Sequence, residues 1–262
     1  MIAVGLFYRE VGPSRAPLLV FLHGGGVGGW MWEKQVEFFF RDYRCLVPDL
    51  PGHGKSESRT FSMSQSAEEI LSLIKSKQNG APITLVGFSL GAQVIVKMLS
   101  LDPGLADYAV INSALTRPLT WIQPWIGTSV RMTHGLLRYR AFAKLQAKQL
   151  YIDKDMFEQY YEDSLKIGPE LLTEILKENM SFAIPDSFKQ TRAKVLITVG
   201  QGEKKIMMRS AKDLLINLQG SQGVIGRGFG HGFPLARPML FNETVEAWIQ
   251  EKRLPNGLLP LV

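Results

Sequence analysis

The 262-residue sequence contains a single cysteine and only four histidines, and both scarcities narrow the chemistry. One thiol cannot form an intramolecular disulfide. Cys45 lies in the strand-like run Tyr43-Arg-Cys-Leu-Val-Pro48, where a buried, inert thiol is expected rather than a nucleophile. No stretch approaches the ~20 apolar residues that a membrane span needs. The opening residues Met1-Ile-Ala-Val-Gly-Leu lack the basic-then-apolar order of a signal peptide, so the expectation is a cytoplasmic protein without a membrane span. Basic runs interleaved with stacking aromatics are also missing. Although the net charge is +6, Lys and Arg are scattered along the chain, which argues against a nucleic-acid partner. The densest basic stretch places Arg140, Lys144 and Lys148 along one helix face. That face reads as solvated, or as a patch for phosphate-bearing substrates or anionic surfaces.

What is present is an alternation of apolar runs and amphipathic patterns. Strands are expected at Pro17–His23, Tyr43–Pro48, Pro82–Val86 and Asp107–Asn112, with helices near 32–41, 63–77 and 90–100 between them. The alternation resumes with a strand at Ala193–Val199, a helix near 207–218, a short strand near 222–226 and a terminal helix near 236–252. This is the pattern of an α/β fold with a mostly parallel sheet flanked by helices. Residues 114–191 interrupt it with helical patterns rich in Trp, Met, Leu and Tyr, most of them expected to pack helix on helix. The expected organisation is therefore a core of 1–113 and 192–262 with an inserted helical cap, 114–191. The tail from Leu254 has turn formers and no periodicity, and reads as a strap or a loose end.

One pentapeptide carries the chemistry. Gly87-Phe-Ser-Leu-Gly91 falls where an apolar run gives way to a helical pattern, placing Ser89 on a strand-to-helix turn whose flanking glycines remove Cβ atoms that would collide. The N–H of Leu90, at the start of the helix, then points toward any negative charge forming beside the serine.

Three further motifs join it in order along the chain: His23-Gly-Gly-Gly26, Asp49-Leu-Pro-Gly-His-Gly-Lys-Ser56 and Gly230-His-Gly-Phe-Pro234. Together the four resemble the α/β-hydrolase superfamily over nearly the whole chain, specifically its small cap-bearing serine hydrolases, which include esterases, proline iminopeptidases and C–C bond hydrolases. The resemblance implies that the motifs follow the third, fourth and fifth core strands and the last strand. It also implies a catalytic Ser89 with His231 as its base, since a serine hydroxyl needs a proton acceptor in reach. His23, His53 and His134 are expected to support loop geometry or packing. The family's acid follows the strand after the cap as Gly-x-x-Asp; here Gly200-Gln-Gly-Glu203 puts Glu203 at that position, its alternative being a surface glutamate beside Lys204 and Lys205. The strand before the cap ends Ile111-Asn-Ser-Ala114 without a carboxylate. The oxyanion hole is assigned to the N–H groups of Leu90 and Gly25, with Gly26 as the alternative to Gly25.

The resulting expectation is a serine hydrolase that cleaves an ester-like acyl bond of a small, partly apolar substrate through an acyl-enzyme. It needs no metal or organic cofactor, and its oligomeric state is left open. Thioesterase or acyl transfer, C–C bond hydrolysis and aminopeptidase activity use the same triad, and a non-catalytic ligand-binding protein is the reading from another class. A dehalogenase or epoxide hydrolase is disfavoured because those relatives carry aspartate where this chain has Ser89.

Overall fold

Strands β2 (Leu18–Leu22), β3 (Arg44–Pro48) and β4 (Ile83–Phe88) are buried at every position, as continuous apolar runs require when helices cover both sheet faces. The computed structural model describes residues 5–262; residues 1–4, read above for a leader, lie outside the described residues. With β1 (Tyr8–Val11), β5 (Tyr108–Asn112), β6 (Lys194–Gly200), β7 (Gln222–Gly226) and β8 (Leu258–Pro260), they form one eight-stranded sheet in the order β1-β3-β2-β4-β5-β6-β7-β8. All pairs are parallel except the outermost, β1 on β3 and β8 on β7.

The period-two alternation of strand side chains divides the core. Leu18, Val20 and Leu22 face a layer built with α2 (Met63–Lys77), α3 (Leu90–Leu101) and α8 (Lys205–Asn217). Leu19 and Phe21 face the opposite layer, which includes Trp32, α1 (Glu33–Phe39) and the helix Pro238–Ile249. Between β5 and β6 stand four helices: α4 (Gln123–Thr133), α5 (Arg140–Gln149), α6 (Lys154–Lys166) and α7 (Pro169–Ser181). Leu171 and Ile175 of α7 join the first layer, while Ala143 and Ala147 of α5 and Phe157 and Tyr160 of α6 join the second. The segment thus straddles the sheet at the ends where β4, β5 and β6 terminate.

Hydrogen bonds tie it there. Gln93 of α3, fully buried, donates through Nε2 to the carbonyls of Leu115 (2.6 Å) and Asn179 (2.9 Å), and accepts from Asn179 Nδ2 at 2.8 Å. Glu174 and Glu178 of α7 accept from the backbone N–H groups of Phe61 (2.9 Å) and Met63 (2.7 Å). On the other side, Trp30 Nε1 donates to Asp163 of α6 at 2.8 Å, and Lys34 pairs with Asp153 at 2.7 Å.

Three expectations change. The motifs expected after the third, fourth and fifth strands follow β2, β3 and β4 among the described residues, one strand earlier in each case. The tail is neither strap nor loose end: β8 covers the β7 edge, and Leu261 packs so closely over Gly223 that a Cβ there would lie 2.9 Å from it. Trp121 and Trp125 do not pack helix on helix; they are 74% and 68% exposed.

Candidate active site

Ser89 sits between the last residue of β4 and the first of α3 with φ 52° and ψ −112°, a region that non-glycine residues occupy only when neighbours impose it. The imposition is visible on both sides. A Cβ on Gly87 would stand 2.8 Å from the Ala92 backbone, and one on Gly91 only 2.3 Å from the Leu22 carbonyl oxygen, so the turn closes only with glycine at both positions. Ser89 N–H donates to the Asn112 carbonyl at 2.9 Å, and its own carbonyl accepts from Gln93 N–H at 3.1 Å. The backbone is pinned while the half-buried Oγ takes no hydrogen bond among the described residues.

Parallel pairing of β6 with β7 sets Gly200 opposite Gly226, which brings the loops that follow them together. Glu203 N–H donates to the Gly200 carbonyl at 3.1 Å, turning the chain back and sending the side chain inward. Its carboxylate is 1% exposed, unlike the surface glutamate of the alternative reading, and Oε2 lies 3.0 Å from Nδ1 of His231. The other oxygen accepts from Ser113 Oγ and, at 3.4 Å, from Gly200 N–H. An ionised carboxylate fixes the proton of a neutral imidazole on Nδ1 and leaves the Nε2 lone pair free. The His231 ring packs on Phe88, centroid to centroid 4.9 Å, and Phe88 adjoins Ser89 in the chain. Ser113, with φ 55°, stands directly after β5. Its role was not legible, because a serine at a strand end carries no local signal of a carboxylate arriving from 90 residues away. Tyr151 was missed for the same reason: its hydroxyl accepts from Gly230 N–H at 2.8 Å, steadying the residue before His231.

The glycine-rich loop after β2 rests on buried polar groups. His23 donates from Nδ1 to the Gly24 carbonyl at 2.7 Å and accepts at Nε2 from Leu50 N–H at 2.9 Å; burial pushes its pKa down to about 4. His53, its ring 5.2 Å away, donates to the Pro51 carbonyl and is pushed down to about 3, again chiefly by burial. Asp49 accepts from Gly29 N–H at 2.6 Å and Lys55 N–H at 2.8 Å, which locks the two loops together, and burial raises its pKa. His134 is engaged with the Ile167 carbonyl at 2.8 Å, among the helices between β5 and β6. Gly25 lies against Leu90, where a Cβ would be 3.5 Å from Leu90 Cδ2. The N–H groups of Gly25 and Leu90 have no partner among the described residues. Burial lifts the Cys45 thiol to about 12.

A cavity of about 290 Å³ opens beside Gly25 and Gly26, walled by Leu137, Leu150, Ile167 and Leu172, with Gln146, Gln149 and Tyr160 supplying polar atoms. A larger cleft of about 750 Å³, lined by Lys144, Lys148, Tyr151 and Leu235, touches none of Gly25, Ser89, Leu90, Glu203 or His231 and so is not the space next to the serine. Among the described residues no group of three or more His, Cys, Asp or Glu side chains is arranged to hold a metal ion, and no helix is long and apolar enough to cross a membrane.

A mostly parallel sheet with a glycine-flanked serine after one strand, and a histidine–carboxylate pair at the neighbouring strand ends, defines a hydrolase-type α/β architecture. The model of the alpha/beta hydrolase family matches residues 19–244, and the chain belongs to that family. Relatives in curated collections include a magnesium-chelatase 30 kDa subunit of Rhodobacter capsulatus, 35% identical over 40% of this chain and 38% of that one. A pimeloyl-[acyl-carrier protein] methyl ester esterase of Methylococcus capsulatus is 33% identical over 38% of this chain and 37% of that one. Each match therefore spans well under half of the relative. In fold, the chain is similar to an enol-lactonase of Burkholderia xenovorans LB400 with TM-score 0.79 and 18% identity, covering 94% of this chain and 96% of that one.

Proposed function

We propose that the chain is a serine hydrolase that cleaves an ester-like acyl bond of a small, partly apolar substrate through an acyl-enzyme, with residues 114–191 as its cap. The observation that carries this reading is the buried Glu203 carboxylate 3.0 Å from His231 Nδ1, with the His231 ring packed on Phe88, the residue before a serine held at φ 52°. With Nδ1 engaged, Nε2 takes the Ser89 proton as Oγ bonds to the carbonyl carbon. The electron pair of the carbonyl moves onto its oxygen, where the N–H groups of Leu90 and Gly25 receive it; one such donor is worth about 3 kcal/mol of barrier. Collapse of the tetrahedral adduct expels the alkoxide, which takes the proton from His231. Water then repeats the sequence, releasing the acid and restoring Ser89. Glu203 stays ionised throughout and stabilises the imidazolium.

The cavity of about 290 Å³ beside Gly25 is the candidate seat of the acyl group; neither Ser89 nor His231 lines it, so its link to the serine runs through Gly25. Its lining includes no carboxylate to seat an ammonium group, which favours esters over amino-acid amides. The names of the relatives point the same way, since an esterase and a lactonase both act on ester bonds.

Two measurements test this together. A fluorophosphonate should label Ser89, and Ser89→Ala should abolish both labelling and turnover. Across ester substrates from acetyl to decanoyl, kcat/KM should rise with each methylene by up to a factor of about four, from ~0.8 kcal/mol per buried group, and fall once the cavity is filled. Labelling of another serine removes the triad; a profile that falls steadily from acetyl removes the apolar pocket.

A further inference from the structure

The charge of the chain is confined to one segment. Between Asp107 and Asp153, residues 108–152 contain no Asp or Glu and six cations: Arg117, Arg131, Arg138, Arg140, Lys144 and Lys148. The remaining 24 cations balance the 24 carboxylates, so the whole net charge of +6 belongs to these 45 residues. Two of the six are neutralised: Arg117 pairs with Asp213, and Arg140 pairs with Glu158 while lying over the rings of Phe157 and Tyr161. Arg131, Arg138, Lys144 and Lys148 make no ion pair among the described residues, and all four are exposed.

The same segment carries the most exposed apolar ridge of the described chain. Ile126 and Val130 bury one side of α4 at 7% and 4% exposure, the side toward α7. On the other side, Trp121, Trp125 and Met132 stand 74%, 68% and 79% exposed. At 3.6 residues per turn these three fall within a narrow arc of the helix and the turn that precedes it. The neighbours on that arc are Thr128 and Ser129, whose hydroxyls are cheap to desolvate. Beyond α4 the chain continues through exposed Leu136 and Tyr139 to Leu145 of α5, 57% exposed between Lys144 and Lys148. Single exposed apolar side chains are ordinary; an aligned ridge of this size in a segment that carries cations and no carboxylate of its own is not, although Asp153 and Glu158 of the next segment share a cleft with Lys144 and Lys148.

We propose that α4 and the turn leading to α5 dock on an anionic lipid surface, with Trp121, Trp125 and Met132 entering the interface and Arg131, Arg138, Lys144 and Lys148 held at the headgroups. A bilayer fits better than a protein partner because the feature is a convex ridge rather than a groove. A ridge needs a soft phase to enter, whereas a protein would have to present a matching furrow. Tryptophan belongs at the headgroup level, and Met132 supplies a flexible apolar wedge. Arginine and lysine stems pack along apolar surface while their charged ends remain in the aqueous layer. Docking here is peripheral and does not depend on the hydrolytic reading, because none of these side chains belongs to the candidate triad.

The test is co-sedimentation of the intact protein with vesicles of phosphatidylcholine alone or with about one-third phosphatidylglycerol, at low and high salt. Binding should require the anionic lipid, weaken with salt and shift the tryptophan emission to the blue. Trp121→Ser with Trp125→Ser should weaken binding at least about tenfold, and Lys144→Gln with Lys148→Gln should reduce it chiefly at low salt, both with unchanged circular dichroism and unchanged hydrolysis of a soluble ester. Equal binding to neutral vesicles, or full binding by the double Trp variant, overturns the proposal. So does a self-association, seen by analytical ultracentrifugation, that the Trp substitutions abolish, since the ridge would then be covered by a second copy. Soluble polyglutamate that competes fully at low concentration would instead assign the face to an acidic protein.

Discussion

The role proposed for Glu203 rests on what surrounds its side chain. In sequence it precedes two lysines and resembles any surface glutamate; in the fold its carboxylate is shared between His231 and the hydroxyl of Ser113. Ser113 occupies the strand end before the insert and supplies a donor to a carboxylate arriving from the strand end after it. Glu203→Gln, which keeps the shape but offers no charge, should lower kcat by roughly a thousandfold or more with little change in KM. Ser113→Ala removes only a donor and should lower kcat about tenfold, within the ~1–3 kcal/mol that a lost partner to a buried charged group costs. Stopped-flow turnover of a chromogenic ester separates the two. A Ser113→Ala enzyme as active as the parent shows that Gly200 N–H alone holds the carboxylate. Ser89 and His231 were legible because glycines flank both, and glycine pairs of that kind mark turns that a side chain would block. Ser113 and Tyr151 were not, since each acts across a gap in sequence on a loop whose position only the assembled sheet decides.

Among the elements, α7 and α5 are held to the core by unlike means. α7 is fastened by the two hydrogen bonds between Gln93 and Asn179 and by Glu174 and Glu178 on backbone N–H groups; Gln93 is fully buried and Asn179 half-buried. Breaking the pair strands the buried Gln93 amide at ~1–3 kcal/mol, whereas the half-exposed Lys34–Asp153 pair near the start of α6 is worth at most about 1 kcal/mol. Local opening should therefore swing α5 and the start of α6 away and leave α7 in place. Native-state hydrogen exchange checks this: amides of α7 should be protected at least tenfold longer than those of α5, and equal protection would mean that the four helices open as one. The long helices were legible from their periodicity; α2 begins and ends where the apolar pattern does. The outer strands were not, because β1 reads Tyr-Arg-Glu-Val and β8 spans only three residues, too short and too polar for an alternation to register. Helical patterning also took in Trp121 and Trp125 without saying whether they turned toward a neighbouring helix or away from it.

At the scale of the molecule, four motifs in a fixed order and five buried apolar strands were enough to read the architecture, since a parallel sheet covered on both faces leaves few other arrangements. The placement of the insert over both core layers was not readable, as it depends on contacts between α7 and one layer and α5 and α6 and the other. The adjacent, mutually tilted imidazoles of His23 and His53 beneath the glycine-rich loop tie this architecture to its surroundings through proton linkage. An imidazole whose pKa is about 4 in the native chain and 6.5 when unfolded takes up its proton only on unfolding between those values, so acid draws the equilibrium toward the open chain. The contribution of the pair should be complete above pH 6.5 and decline as pH falls toward 4, by about 3 kcal/mol for His23, with His53 adding a loss that extends to about pH 3. Asp49, its pKa raised by burial, works in the opposite sense and blunts the decline. Urea denaturation should give midpoints that are level from pH 8 to 7 and drop steadily from 6.5 to 4.5, and a flat profile would show that water reaches the pair. Because His23 carries the Leu50 N–H and the Gly24 carbonyl, its protonation loosens the loop that bears Gly25 and Gly26. Acid should then loosen the fold first under the glycine-rich loop, and returning to neutral pH before the chain aggregates should restore the native fold.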